Sequence, residues 1–306
     1  MPTGEPAADT GRQDEVVLLT GATGFLGGHL AQALHAAGFR LVVLKRSGSV
    51  IARINALLGR VPCYDVDRGG VEEAFTAHDV GCVVHCATNY GRDETTILPV
   101  LEANLLLPAR LLERLAHRGR GCFVNCDTAL DRRISPYALA KKQFREWLER
   151  QARTLSCVNV VLEQFYGPGD NRPLFVARLI AALVRGEAEF RLTPGEQRRD
   201  FVYIDDAVAA LLAVIGRAVR AAPGYHEYGV GSGQPVSIRE FVELARRLAG
   251  NQTTRLLFGA LPYREHELMA SQVDTTALRE LGWRPKVTLA EGLRRTIAAA
   301  REETAR

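Results

Sequence analysis

Within twelve residues, Val16-Val17-Leu18-Leu19-Thr20-Gly21-Ala22-Thr23-Gly24-Phe25-Leu26-Gly27 reads as a β-strand, a glycine turn and the start of a helix. Glycines at 21, 24 and 27 each answer a separate need. Gly21 permits the turn, Gly24 lets backbone amides approach a pyrophosphate, and Gly27 lets the helix pack closely on the strand. An anion there sits at a helix N-terminus, where free amides and the helix dipole favour it. Spaced glycines alone are weak evidence. After the first apolar strand and before the first amphipathic helix, they specify a dinucleotide-binding unit, with Gly21, Thr23, Gly24, Phe25, Leu26 and Gly27 as its cofactor-binding residues.

The first half of the chain continues in the same alternation. Apolar runs at 16–20, 41–45, 61–64, 82–87, 122–126 and 158–164 read as strands, and amphipathic stretches at 26–37, 70–77, 95–117 and 136–153 as helices. Near-continuous apolar strands between helices imply a parallel sheet covered on both faces, a doubly wound α/β (Rossmann) fold. Tyr166-Gly167-Pro168-Gly169-Asp170 breaks the pattern. Beyond it the spacing predicts helices at 173–185, 206–216, 237–249 and 289–300 and a strand at 200–204. The expected division is a disordered tail at 1–13 and a dinucleotide-binding domain at 14–168, with 200–232 returning to it. A smaller α/β substrate-binding C-terminal domain takes 169–199 and 233–306.

An acidic residue at the end of the second strand accepts from the adenosine ribose and favours NAD. Here that position reads Lys45-Arg46-Ser47, two cations and a hydroxyl suited to a 2′-phosphate, which points to NADPH/NADP+. Asp65 and Val66, after the third strand, are placed to flank an adenine. Cys86, Ala87 and Thr88 close the fourth strand at the nicotinamide end.

Tyr137 and Lys141 stand four apart at the start of a helix and so share one face. An ammonium near a phenol stabilises its phenolate, so such a tyrosine can give a proton to a carbonyl oxygen as hydride arrives, or take it in reverse. Alone, the pair reads equally as an aromatic beside a surface lysine; with the glycine turn it reads as catalytic.

Other chemistries are disfavoured by the remainder of the sequence. The net charge of +4 is spread along the chain with no basic block, so a nucleic-acid partner is not expected. No apolar run reaches the ~18 residues of a membrane span. MPTGEPAADTGRQ lacks the features of a signal peptide. Six cysteines (63, 82, 86, 122, 126, 157) form no C-x-x-C pair, so free thiols in a reducing, cytoplasmic setting are expected, with no metal site.

T-G-A-T-G-F-L-G at the start, P-Y-A-L-A-K at 136–141, R-D-F-V-Y-I-D-D at Arg199–Asp206 and D-T-T-A-L-R-E-L-G-W-R-P-K-V-T-L-A-E-G-L-R at Asp274–Arg294 occur in this order. Together, over about residues 15 to 300, they resemble the extended short-chain dehydrogenase/reductases that act on nucleotide sugars. A-T-N-Y-G-R at 87–92 and the compact D-T-A-L…P-Y-A-L-A-K-K-Q-F are most similar to nucleotide-linked 4-keto-6-deoxyhexose reductases of the CDP-abequose synthase type. The resemblance implies NADPH-dependent reduction of a keto sugar carried on CDP or dTDP, and a homodimer paired through 95–117 and 136–153. A sugar-nucleotide epimerase with tightly held NAD+, or a non-catalytic dinucleotide sensor, are the competing readings.

The resemblance also distributes roles. Asn104, Tyr137 and Lys141 complete the cofactor-binding set, and Tyr90, Asp127, Tyr166, Arg199 and Arg264 face the substrate. The family's third catalytic member, a Ser or Thr, falls on Cys126, a weaker donor. Thr128, two residues on and on the same strand face, is the expected working hydroxyl. The related 4,6-dehydratases use adjacent Asp and Glu here; Asp127 is followed instead by Thr128, so elimination lacks its base.

Overall fold

Alternate residues of a strand point to opposite faces, and in the first strand both sets are apolar. Val17 and Leu19 join one core cluster, Val16 and Leu18 the other. Burying each such side chain contributes about 1.5–3 kcal/mol, which forces cover on both faces. The computed structural model describes residues 15–91, 96–170, 174–271 and 273–305. The expected tail at 1–13 and Arg92 lie outside them.

The strands are β1 (Val16–Thr20), β2 (Arg40–Lys45), β3 (Cys63–Asp65), β4 (Val80–His85), β5 (Cys122–Thr128) and β6 (Ser156–Leu162), with a seventh at Gly224–Val230. They form one parallel sheet in the order β3-β2-β1-β4-β5-β6 and then Gly224–Val230. The order reverses between β1 and β4, the crevice where open α/β sheets bind ligands. The seventh strand was not legible as a strand. Gly-Tyr-His-Glu-Tyr-Gly-Val carries polar residues in its first half, which stays partly exposed at the sheet edge.

Helix Phe25–Ala36 and helix Ile204–Ala218 cover one face. Helix Pro136–Gln151 and a long helix over 98–116 cover the other. The long helix is interrupted by a π-helical stretch at Glu102–Leu106, a feature that often marks a functional site. Its predicted start at 95 lies outside the described residues. β5 runs two residues further than expected, so Thr128 is within the strand, opposite Leu162.

Helices Phe175–Arg185, Ile238–Leu248 and Leu289–Ala305 pack on one another and join the core on one face of the sheet. The expected strand at 200–204 divides into Arg198–Arg199 and Phe201–Tyr203, and the following helix begins at Ile204. The Asp206 carboxylate ties helix Ile204–Ala218 to the segment before the last helix, accepting the amides of Lys286 and Val287 at 3.0 and 2.9 Å. Among the described residues, no helix is long and apolar enough to cross a membrane.

Candidate active site

The glycine turn sits directly against the end of β4. Gly21 has φ +76°, and a Cβ on it would lie 2.6 Å from the Ala87 amide nitrogen. A Cβ on Gly27 would lie 2.1 Å from the Gly21 carbonyl oxygen, so both positions require glycine. Helix Phe25–Ala36 has neither a side-chain cap nor an acid in its first turn, which leaves its leading amides for an anion. Phe25 and Leu26 are buried core residues, so they contribute backbone rather than side chains to this cradle. Arg53, which the sequence reading missed, donates to the Gly169 carbonyl at 2.6 Å and reaches the Thr23 carbonyl at 3.4 Å. A cation beside an uncapped, glycine-lined helix start fits a pyrophosphate.

At the end of β2 the two cations and the hydroxyl read from the sequence are joined by two carboxylates. Register places Lys45 opposite Asp65, and their side chains form an ion pair. The Ser47 amide and hydroxyl donate to Asp67 at 2.8 and 2.6 Å. Arg46 is exposed and, among the described residues, its guanidinium has no partner. Val66 opens the 3-10 turn Val66–Arg68.

At the carboxyl edge of the sheet, Ser135 caps helix Pro136–Gln151 by accepting from the Ala138 amide. Tyr137 is the second residue of that helix, 9 % exposed, with its ring 4.9 Å from that of Tyr90. Burial pushes its phenol well above the usual range and neighbouring Tyr90 adds to this, while the side chains of Thr128 and Thr88 pull it part of the way back down. Lys141 is buried, its Nζ donating to the Cys126 carbonyl at 2.9 Å, and desolvation presses its pKa down. Lys142 diverges from it and donates to Asp127 at 3.0 Å and to the Thr128 carbonyl. The two lysines thus fasten helix Pro136–Gln151 to alternate carbonyls of β5. The Cys126 sulfur faces Cys86 at 3.3 Å, and that contact together with burial pushes the Cys86 thiol up. Ala87 donates its amide to Thr20 at 3.2 Å.

Two residues expected on the substrate side are placed elsewhere. The Asp127 carboxylate is fully buried and is held by Lys142, Asn159 and the Thr128 amide. Tyr166 is 1 % exposed, packs on Phe201 and Phe241, and donates to the Leu289 carbonyl, so it anchors the last helix. Asn104, expected at the cofactor, is buried and engaged with the loop after β4. Arg199 is buried in an ion pair with Glu267, whereas Arg264 is exposed. Beside Arg199, burial pushes Glu163 from its ordinary 4.5 up to about 7, against a hydrogen bond from Ser271. The folded chain therefore holds more protons than the unfolded chain between those values, and stability falls as pH rises through that window. Glu163→Gln should then raise the unfolding free energy by roughly 1–3 kcal/mol at about pH 8 and by almost nothing near about pH 4, measured by urea denaturation.

Residues 17–231 match the NAD dependent epimerase/dehydratase family. The chain belongs to that family. It is 31% identical over 289 residues to a CDP-abequose synthase of Salmonella typhimurium, covering 91% of this chain and 96% of the relative. A UDP-glucose 4-epimerase of Mycolicibacterium smegmatis is 28% identical, with 94% and 99% covered. Among solved structures, the UDP-glucose 4-epimerase of Thermotoga maritima with UDP-glucose superposes with a TM-score of 0.81 at 25% identity, covering 94% of this chain and 99% of that one. MoeE5 in complex with UDP-glucose and NAD gives 0.78 at 26%, with the same coverage.

The glycine turn follows β1, where the order of the sheet reverses, and Tyr137 lies in the helix that follows β5. A buried phenol with two hydroxyl neighbours can pass a proton to or from a carbonyl oxygen. Lys142 was missed because one lysine beside another on a helix reads as surface charge. Glu267 and Asn159 carried no local signal, since their partners lie 68 and 32 residues away.

Proposed function

We propose that the protein reduces a nucleotide-activated 4-keto-6-deoxyhexose, on CDP or dTDP, to the 4-hydroxy sugar with NADPH. The observation that carries this reading is Asp127. The carboxylate that could serve elimination is buried in protein contacts, while Tyr137 remains beside Thr128 and Thr88. An acid for a carbonyl oxygen is thus retained and a dehydratase's acid–base pair is not. The CDP-abequose synthase relatives, matched over 91 and 92% of the chain, favour the same substrate class.

NADPH, when bound, would supply the hydride; amides of the Gly21–Gly27 turn and Arg53 would hold its pyrophosphate, and Arg46 its 2′-phosphate. Tyr137 gives its proton to the carbonyl oxygen; Thr128 donates to the phenol oxygen as that proton leaves. Lys141 fixes the helix to β5 through the Cys126 carbonyl and is the cation the phenolate calls for. Arg264 and Arg199 clamp the diphosphate, the latter by exchanging Glu267 for phosphate oxygens. Mixing the protein with CDP- or dTDP-linked 4-keto-6-deoxyhexose and NADPH should consume one NADPH for each sugar reduced. Isomerised sugar without NADPH loss would support the epimerase reading instead.

The dimer belongs to the same proposal. Leu98 (70 %), Trp147 (58 %), Leu106 and Leu139 are exposed large apolar side chains on the helices over 98–116 and Pro136–Gln151. Pairing those helices with a second copy covers them, as the family resemblance implies. Light scattering should give the mass of two chains for the wild type and of one for Trp147→Glu. A wild-type mass near one chain at every concentration rejects the dimer.

A further inference from the structure

Cys126 stands where the family resemblance implies a hydroxyl, and the reduction makes no use of its sulfur. Strand register sets what it faces instead. His85 is paired with Asn125, and the next residue on each side is a cysteine, Cys86 just past β4 and Cys126 within β5. Neighbouring parallel strands lie about 4.7–4.9 Å apart, inside the range of about 4.4–6.8 Å between Cα atoms that a disulfide spans. The two sulfurs approach to 3.3 Å, and both thiols are free.

A second opposed pair marks the contrast. Cys82 and Cys122 are also register partners, but both are fully buried in the core and sealed from solvent. Cys86 lies at the carboxyl edge of the sheet, half-buried, with Cys126 beside it at 6 % exposed. We propose that Cys86 and Cys126 are a redox-modification site, forming a reversible disulfide that lowers turnover. The oxidant is a hydroperoxide, of which hydrogen peroxide is the simplest. One thiolate attacks a peroxide oxygen and breaks the O–O bond, giving a sulfenic acid and water. The second thiol then attacks that sulfur, the S–S bond forms, and the hydroxyl leaves as a second water. Both sulfurs are oxidised, the peroxide is reduced, and the two thiol hydrogens end in the waters. The facing sulfur and burial push the Cys86 thiol up, while the Lys141 cation pulls the other way. Thiolate is therefore scarce, which makes the first step slow; the 3.3 Å approach favours the second.

The bond would act on two parts of the site. The Cys126 carbonyl accepts from Lys141 Nζ at 2.9 Å. Cys86 leads into Ala87, whose amide donates to Thr20 at 3.2 Å, and a Cβ on Gly21 would lie 2.7 Å from the Cys86 carbonyl carbon. β4 lies between β1 and β5, so closing the sulfurs from 3.3 Å to about 2.0 Å draws Cys86 away from the glycine turn.

Peroxide treatment of the whole protein, followed by alkylation under denaturing conditions and peptide mapping by mass spectrometry, tests it. Residues 86 and 126 should be found joined, and Cys82 and Cys122 alkylated. Turnover should fall about 10–100-fold, the scale of an ångström-sized misplacement, and return with dithiothreitol. Cys86→Ser and Cys126→Ala should each keep under peroxide whatever turnover they begin with, and either one suffices if the other does not fold. Thiols at 86 and 126 that are alkylated separately, or a joined pair with turnover unchanged, would overturn the proposal. So would peroxide inactivation of either variant to the wild-type extent. Only the turnover arm rests on the reductase reading. Untreated protein that reduces no keto sugar would reject that reading, and the peptide map would still decide whether the disulfide forms.

Discussion

Tyr137→Phe should bind NADPH as the wild type does and lose ~10²–10⁴-fold in turnover, the usual contribution of a general acid. The ring itself packs against Tyr90 and is 9 % exposed, so phenylalanine keeps its contacts and removes only the hydroxyl. Cofactor affinity should hold because the pyrophosphate cradle, at Gly21–Gly27 and Arg53, belongs to other elements. Fluorescence titration with NADPH and a turnover assay on the same preparation separate the two effects. A variant that keeps wild-type turnover would show that the proton comes from elsewhere. Cys126→Ser, made in parallel, should leave turnover near wild type, because its sulfur faces Cys86.

Replacing Lys45 by Ala and Arg46 by Asp together should raise the NADPH dissociation constant by roughly 10–100-fold and leave NADH binding nearly unchanged. Loss of one charge-assisted contact at ~1.5–3 kcal/mol sets that range. The acidic replacement adds repulsion toward a 2′-phosphate and offers an acceptor to a ribose hydroxyl. Lys45 and Ser47 are already engaged by Asp65 and Asp67, so Arg46 carries most of the effect. Isothermal titration of both cofactors measures it, and an unchanged NADPH affinity would remove the 2′-phosphate contact from the account.

How much could be read in the chain follows from the range of each interaction. β1, the glycine turn and helix Phe25–Ala36 were legible because apolar period, turn glycines and helix opening are all local. The Gly224–Val230 strand was not, because an edge strand pairs on one side and tolerates polar residues. Strand periodicity put Thr128 on the same face as Cys126, and the strand does extend through Thr128. Asp65 and Asp67 reach β2 only through cross-strand register, which the chain does not display. Tyr166 misled for another reason: an aromatic before a Gly-Pro-Gly break suits a pocket and a core equally, and its neighbours Phe201 and Phe241 are distant in sequence.

The central claim is net reduction by an exchangeable NADPH, and native mass spectrometry of the freshly purified protein addresses it most directly. The chains should carry no stoichiometric NAD+, take up NADPH reversibly when it is added, and release NADP+ once keto sugar is supplied. Chains that retain one NAD+ each through purification, and keep it through turnover, would contradict the account and make the protein an epimerase.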